Sequence, residues 1–140
     1  MDVQFVTSIA PIVRDGQASR SFYRDALGLS FEGSDGDYLF TSRLDGTKHF
    51  GLWPLSEAAQ SCFGTRQWPS DIPVPQASIE FEVGDVAAAA KELEAKGYQL
   101  IHQAHTEPWG QITARLLSPE GLLVAVCYSP ARHQRSEGHA

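Results

Sequence analysis

Cysteine is scarce in this chain: of 140 residues only Cys62 and Cys127 are cysteine. They sit in unrelated contexts with no CxxC spacing, which argues against a disulfide framework and a zinc ribbon. No segment approaches eighteen uninterrupted apolar residues, and MDVQFVTSIAP has no basic stretch ahead of a long apolar one. Neither a membrane span nor a secretory leader is expected, and the chain reads as a soluble cytoplasmic protein. Positive charge is also short, with 11 Lys and Arg against 17 Asp and Glu for a net charge of −6. That balance argues against a nucleic-acid backbone as partner and suits a neutral or cationic ligand. There is no Gly-rich phosphate loop, and no Ser-His-Asp or Cys-His grouping follows from spacing. With 42% hydrophobic content one core can be buried, and one compact unit is expected.

What is present is a repeat. Val3 to Val13 alternates and is rich in Val and Ile, a strand; Asp15 caps a helix through about Leu27, which Gly28 ends. Leu29 to Glu32, Tyr38 to Ser42 and Lys48 to Trp53 are three short strands divided by turn signals. Residues 54–75 form a long connection with four prolines and one short helical stretch, Ser56 to Ser61. The pattern then returns: Gln76 to Val83 is a strand, Asp85 caps a helix that Gly97 ends, and Tyr98 to Gln103, Ile112 to Leu117 and Leu122 to Tyr128 are strands. Residues 1–53 and 76–129 are thus two βαβββ modules of one structural domain, an α+β fold. The polar tail 130–140 is expected to be disordered.

Two such modules, with SFYRDALGL at 21–29 and the closing hairpin LSPEGLLVAV at 117–126, resemble the vicinal oxygen chelate superfamily, which includes glyoxalase I, extradiol dioxygenases, and fosfomycin and bleomycin resistance proteins. The resemblance implies a cup-shaped, curved mixed sheet. In the metal-dependent branches it also implies metal ligands at positions that fall on Ser8, Ser78 and Ala125, with a fourth near Phe50, next to His49. Serine and alanine are not workable ligands for a divalent catalytic metal, so neither a metal nor another cofactor is expected. Among the metal-free branches, SIAPIVRD at 8–15 and EPWG at 107–110 are similar to bleomycin resistance proteins. That likeness implies a module-exchanged homodimer whose clefts sequester a drug without chemistry. Ile112, Thr113 and Leu122 stand where that family has Arg, Glu and Asn, so bleomycin itself is not the ligand implied.

The candidate ligand-binding residues are aromatic and acidic. Trp53, Trp68 and Trp109, with Phe63 near Trp68, sit in loops or at strand ends, where flat faces are available to stack on a planar or cationic ligand. Tyr38 and Phe40 share a face by alternation and extend that lining. In Ser78 to Val83, Ile79, Phe81 and Val83 face the helix, which turns Ser78, Glu80 and Glu82 toward the cup. His102 and His105 are three apart on a strand and are expected to face opposite ways, a poor metal pair. The leading expectation is a non-catalytic protein that sequesters a planar, cationic or neutral antibiotic or natural product. The alternatives are an enzyme of the same superfamily, a lyase, transferase or dioxygenase using His49 in an atypical metal site or Glu80 or Glu82 without metal, and a sensor of a metabolite.

Overall fold

Asp15 and Asp85 begin both halves in the same way, each side chain accepting a hydrogen bond from the backbone N–H three residues on, Ala18 and Ala88, at 3.0 Å. These caps open α1 (Gly16–Arg20) and α3 (Val86–Ala95). In the computed structural model, which describes residues 1–137 and side chains as far as His133, seven strands form one curved, unclosed sheet. They are β1 (Phe5–Val13), β2 (Leu39–Thr41), β3 (Phe50–Pro54), β4 (Ala77–Glu82), β5 (His102–Thr106), β6 (Ile112–Leu117) and β7 (Leu123–Tyr128). Their order is β2-β3-β1-β4-β7-β6-β5. Each module contributes a first strand paired parallel to its last, β1 with β3 and β4 with β7. The two first strands meet antiparallel at the centre, with Ser8 opposite Glu80 and Ala10 opposite Ser78.

Several elements differ from the sequence reading. Leu29 to Glu32 is no strand but a single bridge from Glu32 to Phe40. After Arg20 the first helix widens into a π-helix, Ser21–Ala26, whose longer turn shifts the inward position. Tyr23, not Phe22, therefore packs on Phe50, with ring centroids 5.9 Å apart, and Phe22 is exposed. The fifth strand lies later than Tyr98 to Gln103. The tail expected to be disordered continues as α4 (Pro130–Glu137), started by a proline that suits the first helical turn. Residues 138–140, including His139, lie outside the described residues.

The apolar residues divide between the two faces. On the outer face α3 packs Val86, Ala89 and Ala90 against Val83, Ala114 and Val126. Val13, Leu39 and Leu52 meet Tyr23, Phe31 and Phe50 near the first helix. The 54–75 connection holds α2 (Leu55–Phe63), whose Ala58, Ala59 and Cys62 pack with Ala10 and Trp53 of the first module and Leu123 of the second. This third cluster joins the modules. At about 25 cal/mol per Å² of buried apolar surface, such a cluster contributes several kcal/mol. Among the described residues no helix is long and apolar enough to cross a membrane.

Candidate functional site

Alternation on the central strands turns Ser8, Ala10, Ser78 and Glu80 to the inner face, where they line a cavity of about 680 Å³. From the first module, β2, β3 and their flanks add Tyr38, Phe40, His49 and Trp53; from the second come Trp109, Gln111 and Arg115. Tyr38, Phe40 and His49 form a triangular cluster of near-parallel rings, with all centroids 5.5 to 5.8 Å apart. Trp109 is 59% exposed at the mouth, its indole N–H donating to Gln111 Oε1 at 2.9 Å. The start of α4 covers one side of the cavity with Pro130, Ala131 and Arg132.

A charged network runs beneath the rings. Arg115, on β6, is fully buried. Its Nη2 donates to Glu80 Oε2 at 3.2 Å, and its Nη1 to Ser61 Oγ at 2.6 Å, Thr113 Oγ1 at 3.2 Å and Glu107 Oε1 at 3.3 Å. The guanidinium also lies 5.2 Å from the centre of the Trp53 ring. Burial alone would lower its pKa, but Glu80, Cys62 and Glu107 around it reverse the balance and raise it. Burial likewise pushes the Glu107 carboxyl up, and the Arg115 charge, with hydrogen bonds from His105 and Ser61, more than offsets it, so the group stays below the usual carboxylate range. Glu80 is fully engaged: its Oε1 accepts from Ser8 Oγ and Gln111 Nε2, each at 3.0 Å, besides the Arg115 bond.

Of the aromatic and acidic residues read from the sequence, Tyr38, Phe40, Trp53, Glu80 and Trp109 meet in this one cavity. Trp68 and Phe63 do not line it. Their rings pack edge to face at 4.9 Å in the cluster around α2, and the Trp68 N–H is bound to the Ile72 carbonyl at 3.0 Å. Helix formation in the connection draws both inward, a tertiary effect that a loop reading misses. Glu82 points to the inner face as expected but is enclosed outside the cavity. It accepts from Thr7 Oγ1 at 2.7 Å, from the Ser129 backbone N–H, and pairs with His133 Nε2 at 2.8 Å. Glu57, Gln111, Arg115 and Arg132 line the cavity and were not singled out in the sequence. A lone arginine in the apolar strand ITARLL, facing strand carboxylates, was the available signal for Arg115.

The metal positions implied by the resemblance do not fit a metal here. Ser8 and Ser78 line the cavity, Ala125 is buried beside Glu80 in the sheet register, and the Glu80 carboxylate is neutralised by Arg115. A dication at this point would face the guanidinium directly. His49 is bound to Tyr38 and Arg132. Among the described residues no three His, Cys, Asp or Glu side chains converge as a metal-binding group. His102 and His105 correct the alternation reading: a register shift between them brings their rings into a parallel stack 4.0 Å apart. His102 Nδ1 donates to the Gln103 carbonyl at 2.8 Å, and its buried Nε2 has no partner. Burial lowers the His102 pKa to about 4. Cys62 is buried in α2, which pushes its thiol up to about 11.

Among curated proteins none matches this sequence. Among solved structures, a superfamily member from Vibrio splendidus 12B01 shares 18% identity at a TM-score of 0.57, over 91% of this chain and 100% of that one. Methylmalonyl-CoA epimerase of Streptomyces coelicolor, in complex with 2-nitronate-propionyl-CoA, shares 17% at 0.54, over 93% and 97%. A protein from Legionella pneumophila described as NAD-dependent benzaldehyde dehydrogenase shares 13% at 0.55, over 86% and 96%. At these identities the likeness is one of fold. The sequence itself matches a family model from residue 6 to residue 126, and the chain belongs to the Glyoxalase/Bleomycin resistance protein/Dioxygenase superfamily.

Proposed function

We propose that this protein binds and sequesters a planar aromatic natural product, of the antibiotic type, without transforming it. The observation that carries the reading is the cavity wall. Stacked Tyr38, Phe40 and His49, together with Trp53 and Trp109, offer flat apolar faces on several sides, and each ring contact adds about 0.5–1.5 kcal/mol beyond burial. The lining acid Glu80 is tied to a buried arginine, and both its oxygens already accept hydrogen bonds from Ser8, Gln111 and Arg115, a poor arrangement for a general base. Glu57 is the second carboxylate in the lining and is available to a cationic substituent. Trp68, Phe63 and Glu82 support the cup from outside the cavity in this reading.

Quenching of Trp109 fluorescence on titration with planar antibiotics, lost in Trp109→Ala, together with unchanged ligand by mass spectrometry, is the expected result. Conversion of the ligand by the native protein, abolished in Glu80→Gln while binding survives, overturns sequestration in favour of an enzyme of the same superfamily. The homodimer implied by the bleomycin resistance likeness belongs to the same proposal; whether its two chains exchange modules is tested by cross-linking below.

A further inference from the structure

The cavity's hydrogen-bond inventory is one-sided, and the imbalance begins at His49. Its Nδ1 lies 2.8 Å from Arg132 Nη2 and its Nε2 lies 2.7 Å from the Tyr38 phenol oxygen. A guanidinium only donates, so Nδ1 must be the bare, accepting nitrogen. A proton there would also set two cations against each other. The neutral ring therefore carries its hydrogen on Nε2 and donates to the Tyr38 oxygen, leaving the phenol's own hydrogen without an acceptor among the described residues. Burial raises the Tyr38 pKa, with Glu80 adding to the effect, so that hydrogen stays in place.

Two further observations point the same way. Arg115, on the other module, lines the same cavity, and its buried Nε–H has no partner. Gly51 clears the floor for the phenol: a Cβ at this position would lie 2.1 Å from the Tyr38 oxygen and 2.4 Å from Cζ. A glycine within a strand marks such a close approach. On the Glu80 side of the wall, both carboxylate oxygens already accept hydrogen bonds.

Resting on the binding reading above, we propose that Tyr38 is the specificity-determining donor of an oxygen subsite, and that the ligand is a planar molecule carrying a carbonyl or anionic oxygen seated on the Tyr38 hydroxyl. His49 and Arg132 position that hydroxyl, and Gly51 makes its place.

The tautomer is testable without a ligand. Long-range ¹H–¹⁵N correlation, with His49 assigned by its loss in His49→Gln, is expected to show the Nε2–H form, and an Nδ1–H form overturns the inference. The subsite is tested with two flat tricyclic probes that differ in one oxygen, fluorenone and fluorene. The native protein is expected to bind the ketone about tenfold more tightly, the worth of one good hydrogen bond, and the ratio is expected to fall to about one in Tyr38→Phe and in Gly51→Ala. A ratio near one in the native protein, or one retained in Tyr38→Phe, overturns the oxygen subsite and leaves the aromatic cup standing. Binding of neither probe overturns both.

Discussion

Arg115 is fully buried between Glu80 and Glu107, whose carboxylates compensate its charge. Removing one partner of such a group leaves an uncompensated buried charge, a loss of about 3–5 kcal/mol. Arg115→Leu is expected to lower the unfolding free energy by that amount in urea denaturation. Simultaneous replacement of Arg115, Glu80 and Glu107 by apolar residues should recover much of it, because the desolvation burden goes too. His102 gives a pH signature with a definite sign. Its pKa falls from an ordinary 6.5 to about 4 on folding, so between those values the unfolded chain holds a proton that the native one does not. Stability must then decline as pH falls from about 6.5 to about 4. Chemical denaturation across that range should show the slope, and His102→Gln should flatten it; an unchanged slope would place its origin in other groups.

At the scale of elements, two helices are informative. The caps Asp15 and Asp85 are equivalent, but α3 is a straight α-helix on the sheet, whereas α1 passes at once into a π-helix. Asp85→Ala is expected to cost about 1 kcal/mol in thermal or urea unfolding, the ordinary worth of a side-chain cap. Helix α4 ties the chain's end across the cup, through Arg132 to His49 and Ser42 and through His133 to Glu82, with His133 stacked 4.8 Å from Tyr128. Ending the chain at Ser129 should therefore open one wall of the cavity. The expected outcome is faster amide exchange in β2 and at the β1 N-terminus, with weaker ligand binding and a retained fold. Unchanged exchange there would mean that α4 is not a wall.

At the scale of the molecule, the question is which chain closes which cup. The central β1–β4 pairing lies within one chain, and α2 packs against both modules of that chain. Within the chain described, the connection packs between the two modules. Cysteines introduced at Ile9 and Ile79, which face each other across β1 and β4, should oxidise to a bridge that keeps the protein a monomer on a denaturing gel. A covalent dimer would mean that two chains exchange modules through the same pairing.

The sequence alone determined the strand alternation and the helix starts, because these rest on period and on capping chemistry within a few residues. It also sufficed to turn Ser78, Glu80 and Glu82 inward together, and to bring Tyr38 and Phe40 to one face. Only the tertiary structure decided which of these the cavity exposes. Glu82 is taken up by Ser129 and His133, some fifty residues away, contacts that leave no local trace, and Trp68 is drawn into the cluster around α2. The π-turn that selects Tyr23 over Phe22 and the bulge that stacks His102 on His105 both change a period that sequence reading must assume constant. The neutralisation of Glu80 by Arg115 likewise exists only once β4 and β6 flank β7, since a charge pair is a property of distance in space and not of spacing along the chain.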